Sequence, residues 1–227
     1  MYFSRVQIKP GPEMFNIIKR NRFENGYAVH QLLWSLFPND GKKERNFLYR
    51  ESSENGLPGF FVVSEDLPVA NSALTVDCKQ YHPKLKSGDR LQFSLMANPV
   101  KAKKVEGKKN SVKHDVWMDA KKTGEKNGKT GAELIRYCEY EAKKWLDERA
   151  ERNGFRVDVN EIVVDGYYQH CFEQPKGGRE IKFRSINYEG ILTVLTPELF
   201  IENALYKGIG SAKAFGCGLM LVRRMQT

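Results

Sequence analysis

The sequence predicts an α+β protein of two tandem ferredoxin-like (RRM-like) βαββαβ domains, residues 1–88 and 89–227. Three observations carry this. An amphipathic helical stripe follows an opening strand near the N-terminus, and a longer stripe follows a strand after residue 89. Each stripe is succeeded by strand-like runs separated by turn-rich pieces. A length of 227 residues accommodates one large or two small domains.

Residues 2–9, YFSRVQIK, are β-branched and aromatic and end at Pro10 and Pro12, which predicts a strand. From Tyr27 to Phe37 the apolar residues Val29, Leu32, Leu33, Leu36 and Phe37 fall at helical spacing, with Pro38 beyond. Strand-like runs follow at 46–51, 60–64 and 73–80, broken by turns such as NGLPG. The Pro- and Gly-punctuated stretch from His82 to Asp89 holds the domain boundary. RLQFSLMA after it alternates Leu91, Phe93 and Leu95 with more polar neighbours, as a half-buried strand does.

Between Lys101 and Thr130 there are ten Lys and four acids without apolar periodicity, which predicts a mobile basic loop. Ala132–Arg152 is an amphipathic helix, with Leu134, Ile135, Cys138, Ala142, Trp145 and Leu146 on one stripe and Gly154 as its stop. Strands at 155–172 and 181–195 join through a hairpin around Pro175-Lys176-Gly177-Gly178. A short helix at 197–206 and a strand at 219–223 complete a β-α-β-β-α-β order, of which the first half is a degraded version.

With 41% hydrophobic residues and no low-complexity tract, the chain is not mostly disordered, collagen-like or repetitive. The 37 Lys+Arg against 28 Asp+Glu leave a net charge of +9, which suits a polyanionic partner. The longest run free of charged side chains, Asn25–Asn39, is too short and polar for a spanning helix. Arg5 and Lys9 interrupt any signal-peptide core, so the expected address is the cytoplasm and no membrane partner is expected. Cys78, Cys138, Cys171 and Cys217 lack C-x-x-C spacing, which predicts reduced thiols rather than a zinc site.

Two glycine-rich segments imitate nucleotide loops and fail. Gly124–Thr130 has three residues between its glycines where a Walker A loop needs four. In KGIGSAKAFGCGLM, Lys213 stands where a dinucleotide fingerprint needs its third glycine. That segment is either a turn needing close backbone approach or a loop whose N–H groups meet phosphate around Lys213. No Asp, Glu and His cluster has catalytic metal spacing, so neither metal nor cofactor is expected.

Tyr27, His30 and Trp34 fall on one flank of their helix, beside the core stripe. Imidazole can donate a proton near neutral pH, and aromatic rings give bases a stacking surface. Spacing alone favours a structural histidine over a catalytic one. His82 and His114 read as surface residues, and His170 lies in a strand.

MYFSRVQI, YAVHQLLWSLFP, RLQFSLMANPVK, INYEGILTV and GIGSAKAFGCGLMLV together resemble the CasE family, the CRISPR RNA-processing endoribonucleases of type I-E Cascade complexes. The likeness runs nearly end to end in order. It implies the tandem ferredoxin-like fold and metal-independent cutting of the CRISPR repeat at the 3′ base of its stem-loop. The products would be a 2′,3′-cyclic phosphate and a 5′-hydroxyl. The implied partners are the repeat stem-loop, as precursor and mature crRNA, and the other Cascade subunits. By motif position the catalytic histidine falls on His30 and the active-site tyrosine on Tyr27, while Gln31 stands where some relatives carry Arg. The basic hairpin falls on Lys176, Arg179, Lys182 and Arg184. The glycine-rich loop falls on Lys207–Gly218, with Lys207, Gly208, Gly210, Lys213, Gly216 and Gly218 as candidate RNA contacts beside Trp34. The rival reading is a non-catalytic tandem RRM-like binder in which Tyr27 and Trp34 stack bases. A structural RNA protein would share the charge but leaves the Tyr/His pairing unexplained.

Overall fold

The computed structural model describes residues 1–11, 26–37, 45–54, 57–104, 107, 110–172 and 180–225. The first sheet comprises β1 (Tyr2–Ile8), β2 (Phe47–Glu54), β3 (Leu57–Ser64) and β4 (Leu74–Gln80), in the order β2-β3-β1-β4 with every pair antiparallel. Helix α1 (Gly26–Trp34) covers one face. This is the ferredoxin-like strand order, with the second helix replaced by the short connection from β3 to β4. That connection holds the end of α1: Val69 N–H donates to Leu36 O (2.7 Å) and Asn71 Nδ2 to Ser35 Oγ (2.8 Å).

Both faces of this sheet are buried, which is why Phe60-Phe61-Val62-Val63 is a continuous apolar run. Val6, Ile8, Phe47, Tyr49, Phe60 and Val62 meet Val29, Leu33, Leu36 and Phe37 of α1 and the segment after it. Leu48 and Val63 point the other way. With Phe3 and Phe61 they pack on Leu219, Leu221, Tyr81 and Tyr206, a seam that joins the two halves of the chain. Tyr206 OH donates across the seam to Tyr81 O (2.6 Å).

The second sheet runs β11-β5-β10-β8, from β5 (Arg90–Ala97), β8 (Phe155–Val157), β10 (Ile181–Val194) and β11 (Met220–Arg224). β9 (Val163–Phe172) pairs with β10 from Ile181 to Glu189, with a bulge at Ile186/Asn187, and β8 pairs with its end, from Leu192 to Val194. The predicted strand at 155–172 is thus two strands sharing one partner. The core lies between this sheet and α3 (Gly131–Ala150), around Trp145, Leu146, Tyr188, Phe155 and Phe200. Trp145 Nε1–H donates to Val100 O (3.0 Å), satisfying the indole in an apolar setting. The predicted short helix is one α-helical turn, Pro197–Leu199, continuing as a π-helix, Phe200–Tyr206.

The expectation of a mobile basic loop at 101–130 is corrected. β6 (Val100–Lys103) and β7 (Val112–Asp115) form an antiparallel ribbon that leads into α2 (Val116–Lys126). Asp115 caps that helix by accepting from Met118 N–H (2.8 Å). Its buried face is a narrow row, Val116, Ala120 and Gly124, small enough for Leu134 and Tyr137 of α3 to press against Gly124. Lysines surround this row and hide its period. Several are spent on ion pairs: Lys101 with Glu148 (3.3 Å), Lys103 with Asp119 (2.5 Å), Lys121 with Glu125 (3.9 Å) and Lys129 with Glu133. His114, expected at the surface, lies in β7 with Nε2 buried.

Candidate functional site

The site forms where α1 meets the glycine-rich segment of the second half. The four glycines have positive φ: 74° at Gly208, 91° at Gly210, 80° at Gly216 and 94° at Gly218. A Cβ on Gly208 would lie 2.8 Å from Gly218 O and 2.7 Å from Leu48 Cδ1, so the two doublets cross at a distance only glycine allows. Ile209 N–H donates to Gly218 O (2.9 Å) and Gly218 N–H to Met96 O (2.7 Å). Close backbone approach is therefore one purpose of these glycines. Its result is a 3₁₀ turn, Lys213–Phe215, held against α1 and β2, with Tyr49 OH donating to Ala214 O (3.3 Å).

His30 projects from α1 into this junction. Helical spacing places it on a flank beside the core stripe, and in the structure it is half-buried. Its ring stacks 5.8 Å from Phe47 and lies 5.4 Å from Trp34, and Trp34 packs edge-on against Phe47 at 5.6 Å. Trp34 is thus also a wall that orients the imidazole. His30 Nε2 is buried without a hydrogen-bond partner. Burial lowers the His30 pKa below its ordinary value, and the charge of Arg45 lowers it further.

Arg45 lies two residues before β2 and is a residue that sequence reasoning missed. Its Nη1 is buried and unpartnered, and burial lowers its pKa. Lys213 is half-buried at the start of the 3₁₀ turn, where its Nζ donates to Lys207 O (2.6 Å). Burial lowers its pKa first and the charge of Arg45 second. One imidazole and two cations thus converge from three elements. Among the described residues no carboxylate forms an ion pair with any of them.

The other expected residues divide. Tyr27 lies in the first turn of α1, three positions before His30. Lys207 is exposed and ion-paired with Glu202 (2.9 Å). Lys176 and Arg179 lie outside the described residues. Lys182 is exposed on β10 and pairs with Glu180 (2.6 Å). Arg184 covers the Tyr167 ring at 5.7 Å and donates to Gln169 Oε1 (3.2 Å). Between them, Phe183 stacks on His170 (4.5 Å) and on Phe215 (5.5 Å), while Phe172 lies 5.7 Å from Phe215. These rings tie the base of the β9–β10 ribbon to the turn carrying Lys213. No single-residue motif announces that cluster. Among the described residues, no group of three or more His, Cys, Asp or Glu could hold a metal, and no helix is long and apolar enough to cross a membrane.

Fold and site define a tandem ferredoxin-like protein with one half-buried histidine beside a cation, Arg45, at the junction of its halves. The chain belongs to the CRISPR associated protein family, whose family model matches residues 1–224. It is 31% identical over 224 residues to the CRISPR system Cascade subunit CasE of Escherichia coli, covering 97% of this chain and 98% of that protein. It is 30% identical over 200 residues to the CRISPR-associated endoribonuclease Cse3 of Thermus thermophilus, covering 85% of this chain and 79% of that one. The structure of Thermus thermophilus Cse3 bound to an RNA representing a pre-cleavage complex matches with a TM-score of 0.68 and 25% identity, over 98% of each chain.

Proposed function

We propose that this chain is a CRISPR RNA-processing endoribonuclease that cuts the repeat at the 3′ base of its stem-loop and stays bound as a Cascade subunit. Support comes from the endoribonuclease and Cascade-subunit relatives and from one observation in the site. An imidazole nitrogen, His30 Nε2, is buried without a partner close to Arg45, whose charge also reaches Lys213. The reading includes a cytoplasmic address and two domains, 1–88 and 89–227, each carrying one of the two sheets.

The proposed chemistry is transesterification. The ribose 2′-oxygen attacks phosphorus, its proton passes to water, and the P–O5′ bond breaks. His30 as imidazolium gives its proton to the departing 5′-oxygen, leaving a 2′,3′-cyclic phosphate and a 5′-hydroxyl. Tyr27 holds the 2′-OH or the phosphate by a hydrogen bond. Phe47 and Trp34 fix the imidazole plane, so the proton lies on a defined path. Lys182 and Arg184, with Lys176 and Arg179, hold stem phosphates, which in A-form RNA gives recognition of shape rather than sequence. A binder without chemistry would use Trp34 as an open stacking platform, whereas Trp34 packs on His30 and Phe47.

The test is cleavage of the cognate repeat RNA in EDTA under single-turnover conditions. Full activity is expected, with a cyclic phosphate product, and one 2′-deoxy nucleotide just upstream of the cut should abolish it. His30→Ala should lose on the order of a hundredfold or more in rate while binding persists. Tyr27→Phe should lose less, since it removes only a positioning hydrogen bond. Cleavage of the deoxy substrate, or activity that EDTA removes and Mg²⁺ restores, would overturn the mechanism.

A further inference from the structure

We infer that Arg45 and Lys213 form the anion cradle of the site, taking the non-bridging oxygens of the RNA phosphodiester that is cut. This rests on the proposed cleavage chemistry and adds to it the charge-neutralising groups.

The argument begins with what these side chains lack. Burying a cation is costly unless an opposite charge or several hydrogen bonds compensate. Other partly buried arginines here have compensation. Arg149 donates to Trp145 O (2.9 Å) and Val100 O (3.3 Å), stacks on Trp145 and lies near Glu148. Arg50 also has a buried, unpartnered Nη1, but the carboxylate of Glu189 opposes its charge. Arg45 has a buried, unpartnered Nη1 and no carboxylate: only the Tyr49 phenol opposes its charge, and among the described residues no carboxylate forms an ion pair with it. Lys213 is half-buried with one described hydrogen bond, to Lys207 O, which leaves donor capacity on an ammonium that carries three protons.

The second argument is mutual proximity. The turn carrying Lys213 packs on both α1 and β2, and His30 stacks on Phe47, two residues after Arg45, so the three groups share one locality in which the charge of Arg45 acts on the other two. Arg45 opposes protonation of His30 and repels the Lys213 ammonium. An anion bound at Arg45 offsets both effects. The donors match a phosphodiester: unpartnered guanidinium N–H groups suit one oxygen, and the free Lys213 donors suit another. As the 2′-oxygen adds, the phosphorane gains negative charge, and donors already in place stabilise it more than the ground state.

The backbone holds this geometry in advance. Lys213 is seated by the crossed glycine doublets and by Phe215 within the aromatic cluster, and Arg45 by the start of β2.

The experiment uses the full chain and its repeat stem-loop, with Arg45→Gln, Arg45→Lys and Lys213→Ala made beside His30→Ala. Arg45→Gln and Lys213→Ala should each lose on the order of a hundredfold in single-turnover rate, with stem-loop affinity within a few-fold of the parent. Arg45→Lys should recover part of the rate, since it keeps the charge but not the planar fork. In the RNA-free protein, the His30 titration followed by NMR should move to higher pH in Arg45→Gln and not in Arg45→Lys. Millimolar inorganic phosphate should raise the His30 midpoint in the parent and much less in Arg45→Gln. Rates within threefold of the parent in folded Arg45→Gln and Lys213→Ala, or an unmoved His30 titration, would overturn the cradle. Loss of cutting in the cradle variants with full activity in His30→Ala would instead remove the proton-transfer role and leave the cradle standing.

Discussion

Gly208→Ala and Gly88→Ala separate two reasons for using glycine and test whether the crossed doublets hold the site. Both positions have positive φ, 74° and 90°, so each alanine incurs a backbone penalty of about 1–2 kcal/mol. They differ in surroundings. At Gly88 no atom lies within 4 Å of an added Cβ, whereas at Gly208 the Cβ meets Leu48 Cδ1 at 2.7 Å and Gly218 O at 2.8 Å. Overpacking of that kind adds about 1–3 kcal/mol, giving about 2–5 kcal/mol in all for Gly208→Ala. In a chain of this size 1 kcal/mol shifts Tm by about 2–4 °C, so Gly88→Ala should lower it by about 2–8 °C and Gly208→Ala by about 4–20 °C. Differential scanning calorimetry measures the difference. Single-turnover cleavage below both melting points measures the coupling: displacing Gly218 strains the turn carrying Lys213, so Gly208→Ala should cut more slowly while Gly88→Ala cuts normally. Equal Tm losses, or equal cleavage, would refute the argument that the doublets are packed against each other and against β2.

Two further outcomes follow from charge. Replacing Lys182 and Arg184 together by Ala should weaken stem-loop binding without unfolding and flatten its salt dependence by up to about one unit of slope per lost phosphate contact; unchanged slope would place the stem elsewhere. Burial lowers the pKa of His30 and of His170, so both bind a proton less readily folded than unfolded. Their stability contribution is therefore present above the unfolded value of about 6.5 and lost as pH falls below it. Tm should decline on acidification from about pH 7.5 to about 5.5, less steeply in His170→Gln, and an equal slope in that variant would contradict the assignment.

Much of the fold was legible because periodicity reports burial. α1 and α3 carry wide apolar stripes, and β5 alternates cleanly. α2 escaped because its buried face is three small residues among lysines, so the contact that fixes it is Gly124 against Leu134 rather than a hydrophobic stripe. The division of one predicted strand into β8 and β9 escaped because both pair with the same long β10, a fact of register rather than of local pattern.

The site was legible only in part, for a reason specific to its geometry. Helical spacing put His30 on a flank, but spacing cannot say what covers a flank, and here the cover is a turn distant in the chain. Arg45 carries no motif; its significance is an unpartnered Nη1 close to His30 and Lys213, a matter of tertiary packing rather than of local pattern. That environment also sets an order of events for the proposed reaction. In the free protein, burial and Arg45 keep His30 toward its neutral form, which cannot act as an acid. A phosphate anion about 4 Å away would favour the imidazolium by at most about 4 kcal/mol at an effective dielectric constant near 20, close to three pKa units. Docking the RNA would then load the proton that cleavage consumes, so the imidazole becomes competent where a phosphodiester is seated and stays idle elsewhere.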